Sequence, residues 1–352
     1  MPCSPPMPGD VHAFMATMVA PARPVEPERA AALLREHYGF TPRSLTRLTG
    51  ERDENFRVTR DDGAEYVLKI ANPAEDPAET ALQTAALLHL ERADATLPVP
   101  RVARTTRGGI QVRLQDGSVA RTARLLSYLP GRLIGAATRS SAQRRACGRL
   151  GGDLALALRG FTHPAAARAI VWDVRHTGHM RALLSDMPDF PLQEESAALL
   201  EQLVPRIESQ LPRLRHQVLH NDLNPLNLLV DPADETRVTG VIDFGDMTHA
   251  ALIADVAVAA AELIPPDCIG PQEARTAVRE VASAYHARVP LAAEELTLLG
   301  VLAAARLLMT VVIHEWHVQR NPDSGHYAAL DADFMRTRLA IAAALAREEM
   351  RL

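Results

Sequence analysis

HNDLNPLN (residues 220–227) is followed, after an apolar run and a polar turn, by IDFGD (residues 242–246). Four residues separate Asp222 from Asn227, and Asp243 lies sixteen residues after Asn227. Carboxylate and amide oxygens are hard ligands of the kind that Mg²⁺ prefers, so Asp243 and Asn227 suit a metal-bound phosphate. A second carboxylate, Asp222, can orient a substrate hydroxyl and accept its proton. The pattern indicates phosphoryl transfer, in which the protein positions an anionic group and neutralises growing charge.

The regions on either side of these segments differ in their predicted secondary structure. NFRVTRDDGAEYVLKI (55–70) has two strand-like runs around an Asp-Asp-Gly turn, which predicts a β-hairpin. ETALQTAALLHLERA (79–93) has a helical pattern, residues 99–131 are β-rich, and the chain is mostly helical from about Ser140. We therefore predict an α+β fold with two lobes, made of a flexible N-terminus (1–25), a small β-rich N-lobe with one helix (26–126), a hinge (127–131) and a larger, mainly α-helical C-lobe (132–352).

Composition excludes several functional classes. The 352-residue chain has a net charge of −5 and a pI of about 6.2, which gives no support for nucleic-acid binding. Its three cysteines lack metal spacing and indicate reduced thiols in a cytoplasmic protein. The apolar stretch 296–313 carries Arg306 near its middle, which favours a buried helix over a membrane span. We expect a cytoplasmic monomer or homodimer that binds neither nucleic acid nor a membrane.

The chain has one lysine, Lys69, among its 38 basic residues. This lysine lies in the apolar, strand-like run EYVLKI (65–70). An ammonium is a compact point charge, whereas a guanidinium is a wide planar fork, so arginine cannot always replace lysine. A surface lysine kept by chance is the alternative. The strand context favours a specific charge role for Lys69.

The pattern D-x-x-x-x-N followed by D-F-G resembles the catalytic and metal signature of the protein-kinase-like superfamily. His220 in H-x-D, rather than H-R-D, is similar to the aminoglycoside phosphotransferase and choline kinase branch. ERDENF, YVLKIAN, ALQTAALLHL, LLSYLPG, GFTHPAAAR, VWD and IDFGDM together resemble the hydroxylysine kinase subgroup over roughly residues 45–265. The resemblance implies a protein-kinase-like two-lobe fold with a nucleotide between the lobes, and it fades in the C-terminal helices.

The resemblance assigns roles to individual residues of this chain. It implies that Asp222 and Asn227 are catalytic, that Asn227 and Asp243 hold Mg²⁺, and that His220 and Asp255 support the catalytic loop. It also implies that Lys69 holds the nucleotide phosphates and pairs with a helical glutamate, for which Glu79 is the first choice and Glu75 the second. An N-terminal capping role for these glutamates is the alternative. The remaining residues expected to contact the nucleotide are Gly50, Phe56, Ser127, Tyr128 and Leu129.

Trp172, Asp173 and Asp246 are candidates for binding the acceptor. Asp173 could pair with an ammonium group of the acceptor while Trp172 supplies a π face. Core packing of Trp172 and helix capping by Asp173 are equally compatible with the sequence. Asp246 could approach the metal or the acceptor, or could be an exposed turn residue.

The expected function is a small-molecule kinase that moves the γ-phosphoryl group of ATP or GTP to a hydroxyl of a small, amine-bearing alcohol. The best candidate for the acceptor is 5-hydroxylysine. Aminoglycosides, homoserine and choline or ethanolamine are alternative acceptors. A nucleotide-binding protein without catalysis is a different class, but Lys69, Asp222, Asn227 and Asp243 are all present. A helical scaffold with accidental motifs would leave these four residues far apart.

Overall fold

We describe the protein from a computed structural model. It describes residues 15, 23–50, 53–116, 119–136, 139–320, 330–350 and 352. The predicted flexible N-terminus lies outside the described residues, apart from Met15 and residues 23–25.

The N-lobe is built on a five-stranded antiparallel sheet, whose strands are β1 (Ser44–Leu48), β2 (Glu54–Thr59), β3 (Glu65–Ile70), β4 (Val112–Asp116) and β5 (Val119–Ser127). Their order in the sheet is β1-β2-β3-β5-β4. Gly63 has a φ of 84° in the turn between β2 and β3, a left-handed conformation that glycine adopts at little cost. The hairpin predicted from the sequence is therefore present.

Two helices accompany this sheet. Helix α1 (Pro27–Leu33) continues as a π-helical turn, Leu34–Tyr38, and packs its apolar residues against the sheet. Helix α2 (Pro77–Ala93) begins where the Asp76 side chain accepts a hydrogen bond from the Ala78 amide. The buried leucines of α2 belong to the C-lobe core rather than to the core under the sheet. Helix α2 thus ties the small lobe to the large one.

The C-lobe is mainly helical, as predicted. Gly148 of α3 (Ser141–Ala157) packs so closely on α7 (Pro271–His286) that an added Cβ would collide with the Val281 carbonyl, which explains the small residue there. The helices of the lobe are α3 (Ser141–Ala157), α4 (Met180–Ser185), α5 (Gln193–Gln210), α6 (Leu252–Glu262), α7 (Pro271–His286), α8 (Ala293–Arg320) and α9 (Ala332–Ala346). Short 3₁₀ helices are Ile134–Ala136, Pro164–Ala166, Val174–His179 and Leu211–Arg213.

Short strands in the C-lobe hold the segments HNDLNPLN (220–227) and IDFGD (242–246). The strands are β6 (Arg132–Leu133), β7 (His216–Leu219), β8 (Leu228–Val230), β9 (Val238–Val241) and β10 (Thr248–Ala251). The segment 220–227 runs from the end of β7 to the start of β8, and IDFGD follows β9 directly. Because β8 pairs with β9 and β7 pairs with β10, both segments emerge at one edge of this lobe.

Helix α8 has the length and apolar composition that a membrane-crossing helix needs, but 83% of its most apolar stretch is buried inside the protein. Gly300 lets the neighbouring helix approach closely, since an added Cβ would lie 2.6 Å from the Leu345 carbonyl oxygen of α9. The predicted buried helix is therefore present, with Arg306 in its interior. The α+β, two-lobe organisation predicted from the sequence is confirmed.

Candidate active site

Buried polar side chains hold the loop 220–227, the candidate catalytic loop, in place. His220 is fully buried and packs its ring edge-on against Phe244, at a centroid distance of 4.8 Å. Burial lowers the pKa of His220 to about 4, so the ring is neutral at ordinary pH. The next residue, Asn221, has a left-handed φ of 66°, and its amide donates to Asp255 Oδ1 at 2.7 Å. The Asp255 carboxylate therefore fixes the bend from which Asp222 projects.

Asp222 accepts hydrogen bonds on both carboxylate oxygens. Oδ1 accepts from Arg306 Nη2 at 2.8 Å. Oδ2 accepts from Asn227 Nδ2 at 2.7 Å and from Asn224 Nδ2 at 2.8 Å. Burial raises the pKa of Asp222 to about 7, against the opposing effect of the Arg306 charge and with a further upward contribution from Asp246. The carboxyl is thus poised near neutral pH, as a general base requires.

Asn227 and Asp243 are brought together by the β8–β9 hairpin. The Ile242 amide donates to the Asn227 carbonyl at 2.9 Å, which places Asp243 next to Asn227. The side-chain nitrogen of Asn227 faces Asp222, so its oxygen is left for another partner. Asp243 has a left-handed φ of 58° and a side chain that is 52% exposed, which turns the carboxylate into the cleft.

These two residues fit a divalent cation bound with phosphate. Both offer hard oxygen ligands at the mouth of a cleft, and Mg²⁺ usually takes one or two protein ligands with phosphates and water. Among the described residues, no three His, Cys, Asp or Glu side chains form a metal cage of their own. The geometry therefore suits a metal that arrives with the nucleotide.

Lys69 extends from β3 of the N-lobe to the catalytic edge of the C-lobe. Its Nζ lies 3.6 Å from Asp243 Oδ1 and 3.6 Å from Asp53 Oδ2. A lysine and a DFG aspartate that are far apart in the sequence are neighbours in the fold. The structure thus brings together Lys69, Asp222, Asn227 and Asp243, and the scattered arrangement expected of a helical scaffold is excluded.

The predicted ion pair between Lys69 and Glu79 is wrong in this structure. Glu79 Oε2 instead lies 2.5 Å from Arg168 Nη1. Arg168 also donates to the carbonyl of Gly245, the last residue of the DFG segment, and to the carbonyl of Met247, two residues later. The physical reason is the packing of α2 on the C-lobe, which directs its first turn toward Arg168. Glu79 therefore contacts the DFG region through an arginine.

Asp53 and Arg124 surround Lys69 and were not found by sequence reasoning. Asp53 Oδ1 accepts a hydrogen bond from the Asn72 amide at 3.1 Å, in addition to the contact of Asp53 Oδ2 with Lys69. Arg124 lies opposite Lys69 in the β3–β5 register, is buried, and has a pKa that burial lowers. Burial likewise raises the pKa of Glu75, with a further upward contribution from Asp53 and an opposing one from Arg124. The sequence could have indicated Arg124, because side chains alternate between the two faces of a strand and this alternation places Arg124 on the face that carries Lys69.

The surroundings of Phe56 and Gly50 differ from those expected of residues that contact a nucleotide. Phe56 is 0% exposed in the N-lobe core with Val58 and Leu68, so it has no surface to offer a nucleotide, and the predicted contact is wrong because core packing uses the whole ring. Gly50 comes directly before residues 51–52, which lie outside the described part of the chain. An added Cβ there would lie 2.5 Å from Asn55 Nδ2, so close packing of the loop explains this glycine.

The hinge joins β5 to β6. The Ser127 amide donates to Arg101 and the Tyr128 amide donates to Glu65, at 2.8 and 3.1 Å, so both are already used within the protein. Within the described part of the chain, the Leu129 amide has no hydrogen-bond partner. Of the three predicted hinge residues, Leu129 therefore has the backbone donor that a bound base could use.

The three residues predicted to bind the acceptor have different surroundings in the structure. Asp173 is 0% exposed and bonds the amide and the guanidinium of Arg175, so its predicted pairing with a substrate ammonium is wrong and capping explains it. Trp172 offers its ring to Arg306, whose Cζ lies 4.6 Å from the ring centroid. The predicted π face is therefore occupied by a protein cation. Asp246 lies near enough to Asp222 and Arg306 to affect the pKa of both, and its acceptor role stays a prediction.

Arg306 is the main component of the site that sequence reasoning missed. It was noted as a charge inside an apolar helix, and a buried charge needs a partner. The partners, Asp222 and Glu262, became visible only when α8 was placed across the catalytic loop. A buried arginine opposite a predicted catalytic acid is the signal that could have suggested this contact.

Comparison with known proteins agrees with this geometry. The phosphotransferase enzyme family matches residues 44–296 of the chain, well over half of its length. A hydroxylysine kinase from Mus musculus is 27% identical over 341 residues, covering 89% of this chain and 88% of the mouse protein. The catalytic segments lie within both matched regions.

Solved structures show the same fold. The amicoumacin kinase hAmiN, in complex with AMP-PNP and Ca²⁺, is similar with a TM-score of 0.67 at 14% identity, over 92% of this chain and 93% of that one. A microcompartment-associated aminopropanol kinase has a TM-score of 0.61 at 20% identity, over 91% and 95% of the two chains. With the family match and the convergent site residues, these similarities establish that the chain belongs to the phosphotransferase enzyme family.

Proposed function

We propose that this protein is a kinase that transfers the γ-phosphoryl group of ATP or GTP to a hydroxyl of a small, amine-bearing alcohol, with 5-hydroxylysine as the first candidate. The observation that carries the proposal is the meeting of Lys69 with Asp243, 3.6 Å apart across the two lobes. Asp222 lies on the adjoining loop with a carboxyl whose pKa is about 7. A phosphate-binding cation, a metal ligand and a base at one cleft match the needs of phosphoryl transfer.

Each residue has a distinct role in this proposal. Lys69 binds the α- and β-phosphates, and the Leu129 amide donates to the nucleotide base. Asn227 and Asp243 hold the divalent ion, which when bound neutralises charge on the phosphates. Asp222 accepts a hydrogen bond from the acceptor hydroxyl, orients its oxygen toward the γ-phosphorus and takes up its proton.

The charges around Asp222 favour an acceptor with an amine. Asp222, Asp246 and Glu262 contribute three carboxylates, and Arg306 contributes one buried positive charge. The surroundings of the base are therefore net negative when all three acids are ionised, and this attracts a cationic acceptor. The similarity to hydroxylysine kinase from Mus musculus over most of both chains supports 5-hydroxylysine in particular.

Aminoglycosides, homoserine and choline or ethanolamine are the alternative acceptors. Aminoglycosides, homoserine and ethanolamine carry amines, and choline carries a quaternary ammonium, so the charge of the site does not separate them. A nucleotide-binding protein without catalysis is the alternative of another class. The presence of Lys69, Asp222, Asn227 and Asp243 in one cleft supports catalysis, since a protein that only binds nucleotide needs no base beside the phosphates.

A coupled assay of nucleoside diphosphate release tests the proposal. The purified protein is mixed with Mg²⁺ and ATP or GTP, and then with 5-hydroxy-L-lysine, homoserine, choline, ethanolamine or kanamycin. We expect turnover to be highest with 5-hydroxy-L-lysine and to be lost on chelation of the metal. Turnover on kanamycin alone would transfer the assignment to an aminoglycoside acceptor. Nucleotide binding without turnover on any acceptor would support the non-catalytic alternative.

A further inference from the structure

Arg306 is a buried cation that reaches the catalytic loop from a distant helix. It lies on α8, 84 residues after Asp222, and its side chain is 4% exposed. Its Nη2 donates to Asp222 Oδ1 at 2.8 Å, and its Nε donates to Glu262 Oε1 at 2.8 Å. One guanidinium therefore joins the catalytic loop to the end of α6.

Further contacts hold the guanidinium in place. Its Cζ lies 4.6 Å from the centroid of the Trp172 ring, and Nη1 lies 3.4 Å from the Trp172 carbonyl oxygen. Thr310, one turn along α8, donates to the same Glu262 oxygen at 3.2 Å. Burial acts to lower the pKa of Arg306, but Glu262 and Asp222 outweigh it and raise that pKa. Arg306 is thus permanently charged and held in one orientation.

The contacts of Asp222 leave little freedom for its carboxylate. An ionised carboxylate has about four lone-pair sites on its two oxygens. Asn224 and Asn227 use two of them on Oδ2, and Arg306 uses one on Oδ1. The remaining site is on Oδ1, beside the guanidinium. Arg306 therefore determines which oxygen, and which direction, is left for an acceptor hydroxyl.

The two asparagine donors come from the catalytic loop itself, but they are neutral. Within the described part of the chain, the one cationic side chain that forms an ion pair with Asp222 is Arg306 of α8. Charge-assisted hydrogen bonds are shorter and stronger than neutral ones, so Arg306 limits rotation of the carboxylate more than either amide does. Misplacement of a reacting group by about 1 Å can cost roughly 100-fold in rate.

We propose that Arg306 is a positioning residue for the transfer reaction: it fixes the carboxylate of Asp222 so that Oδ1 receives the acceptor hydroxyl. This inference rests on the proposed kinase function. It assigns to the C-terminal helices, where the family resemblance fades, a direct part in aligning the base. In this proposal Arg306 acts through the Asp222 carboxylate.

The test compares Arg306→Met and Arg306→Lys with the parent protein, using Mg²⁺-ATP or Mg²⁺-GTP and 5-hydroxy-L-lysine. Arg338→Met is a matched control, because Arg338 is 6% exposed, lies on α9 and bonds the Pro265 carbonyl at 2.7 Å rather than Asp222. Methionine keeps much of the side-chain volume of arginine but removes its charge and donors. Thermal unfolding of all variants separates loss of folding from loss of alignment.

We expect Arg306→Met to lower kcat by about 100-fold, with KM for the acceptor and Kd for the nucleotide changed by less than about threefold. Arg306→Lys keeps the charge without the fork, and we expect a loss of about tenfold. Arg338→Met should keep kcat within about threefold, as expected for a side chain outside the reacting site. If Arg306→Met fails to fold, the loss of kcat in Arg306→Lys tests the inference instead.

Non-additivity supplies a second readout that a purely structural role would not produce. In an Asp222→Asn background, measured by transfer from radiolabelled nucleotide, Arg306→Met should cost less than about twofold, because the carboxylate it positions is already gone. An equal cost in both backgrounds, an unchanged kcat, or a loss confined to the KM of the acceptor would overturn the inference.

Failure of the kinase assignment looks different. In that case the parent protein itself does not phosphorylate 5-hydroxy-L-lysine, and the same variants are compared with water as the acceptor, through Mg²⁺-nucleotide hydrolysis. A parent-like rate of hydrolysis in Arg306→Met would then overturn the positioning role. A selective loss of hydrolysis, absent from Arg338→Met, would uphold it.

Discussion

Lys69 and Asp222 are two charged groups at one cleft, and the two lobes hold them differently. Their side chains are almost equally buried, at 15% and 16% exposure. Lys69 lies 3.6 Å from each of two carboxylates, which is beyond hydrogen-bond range. Asp222 is held by three donors at 2.7–2.8 Å. The cation is loosely balanced by charge, whereas the base is fixed by direct hydrogen bonds.

The difference fits the roles that we propose for Lys69 as the phosphate-binding cation and for Asp222 as the base. A cation that binds phosphates has to exchange its partners for phosphate oxygens when the nucleotide arrives, so loose contacts cost little to replace. A base has to present one oxygen in one direction, and preorganisation of that kind is effective only if the carboxylate cannot turn. The N-lobe side of the cleft is therefore built for exchange and the C-lobe side for alignment.

The largest effect should come from removing the fixed base. Asp222→Ala is expected to lower kcat by about 10³-fold or more, since general-base catalysis contributes about 10²–10⁴. Nucleotide affinity should change little, because Asp222 does not face Lys69 or Asp243 in any contact of the described residues. Kinetics and titration calorimetry measure the two quantities. Turnover at the parent rate would contradict the assignment of Asp222 as the base.

Replacing the loosely held cation tests the other half of the comparison. Lys69→Arg conserves charge, but the guanidinium is wide and has to fit between Asp53 and Asp243. We expect kcat/KM for the nucleotide to fall by about 100-fold, similar to the loss of one transition-state donor. Arg113→Lys, an exchange of the reverse type on the exposed face of β4, is the control. Parent-like kinetics would show that the lone lysine has no specific role.

A smaller effect, of opposite sign, is expected at Asp53. Asp53→Asn retains the oxygen that accepts the Asn72 amide but removes a negative charge 3.6 Å from Lys69. The nucleotide phosphates then lose one competitor for the ammonium, and nucleotide affinity should rise by about two- to fivefold. Calorimetry with the nucleotide at low and high salt measures this change. A decrease in affinity would instead mean that Asp53 orients Lys69.

The smallest effect on turnover should be at Asp255, below the fixed base. Burial raises the pKa of Asp255 to about 7, from an ordinary value of about 4. The folded protein therefore binds this proton more tightly than the unfolded chain does. Its contribution to stability is fully present below about pH 4 and is lost as the pH rises to about 7.

Asp255→Asn should abolish that part of the pH dependence while it keeps an oxygen for the Asn221 amide. Urea unfolding at pH 5 and pH 7.5 compares the free energies of unfolding of the two proteins. The parent should lose stability on the order of 1 kcal/mol or more relative to the variant over this range. An identical pH dependence in both proteins would mean that Asp255 titrates normally.

Sequence reasoning was most successful for groups whose role depends on the local order of residues. Asp222, Asn227 and Asp243 were found from their spacing, and the β2–β3 hairpin from its Asp-Asp-Gly turn. It was least successful for the partners of those groups. Glu79 was paired with Lys69, but α2 leans on the C-lobe and gives Glu79 to Arg168. Phe56 and Asp173 were given ligand roles, although both are fully buried in the fold.

By itself, the sequence determined the class of fold and the candidates for the reacting groups, because strand periods, turn residues and the D-x-x-x-x-N and D-F-G spacings act over short distances along the chain. Only the tertiary structure decided which charges meet. The contacts of Asp222 with Arg306, of Lys69 with Asp53 and of Glu79 with Arg168 span 84, 16 and 89 positions. Electrostatic and hydrogen-bond energies depend on separation in space, and packing of α2 and α8 sets that separation.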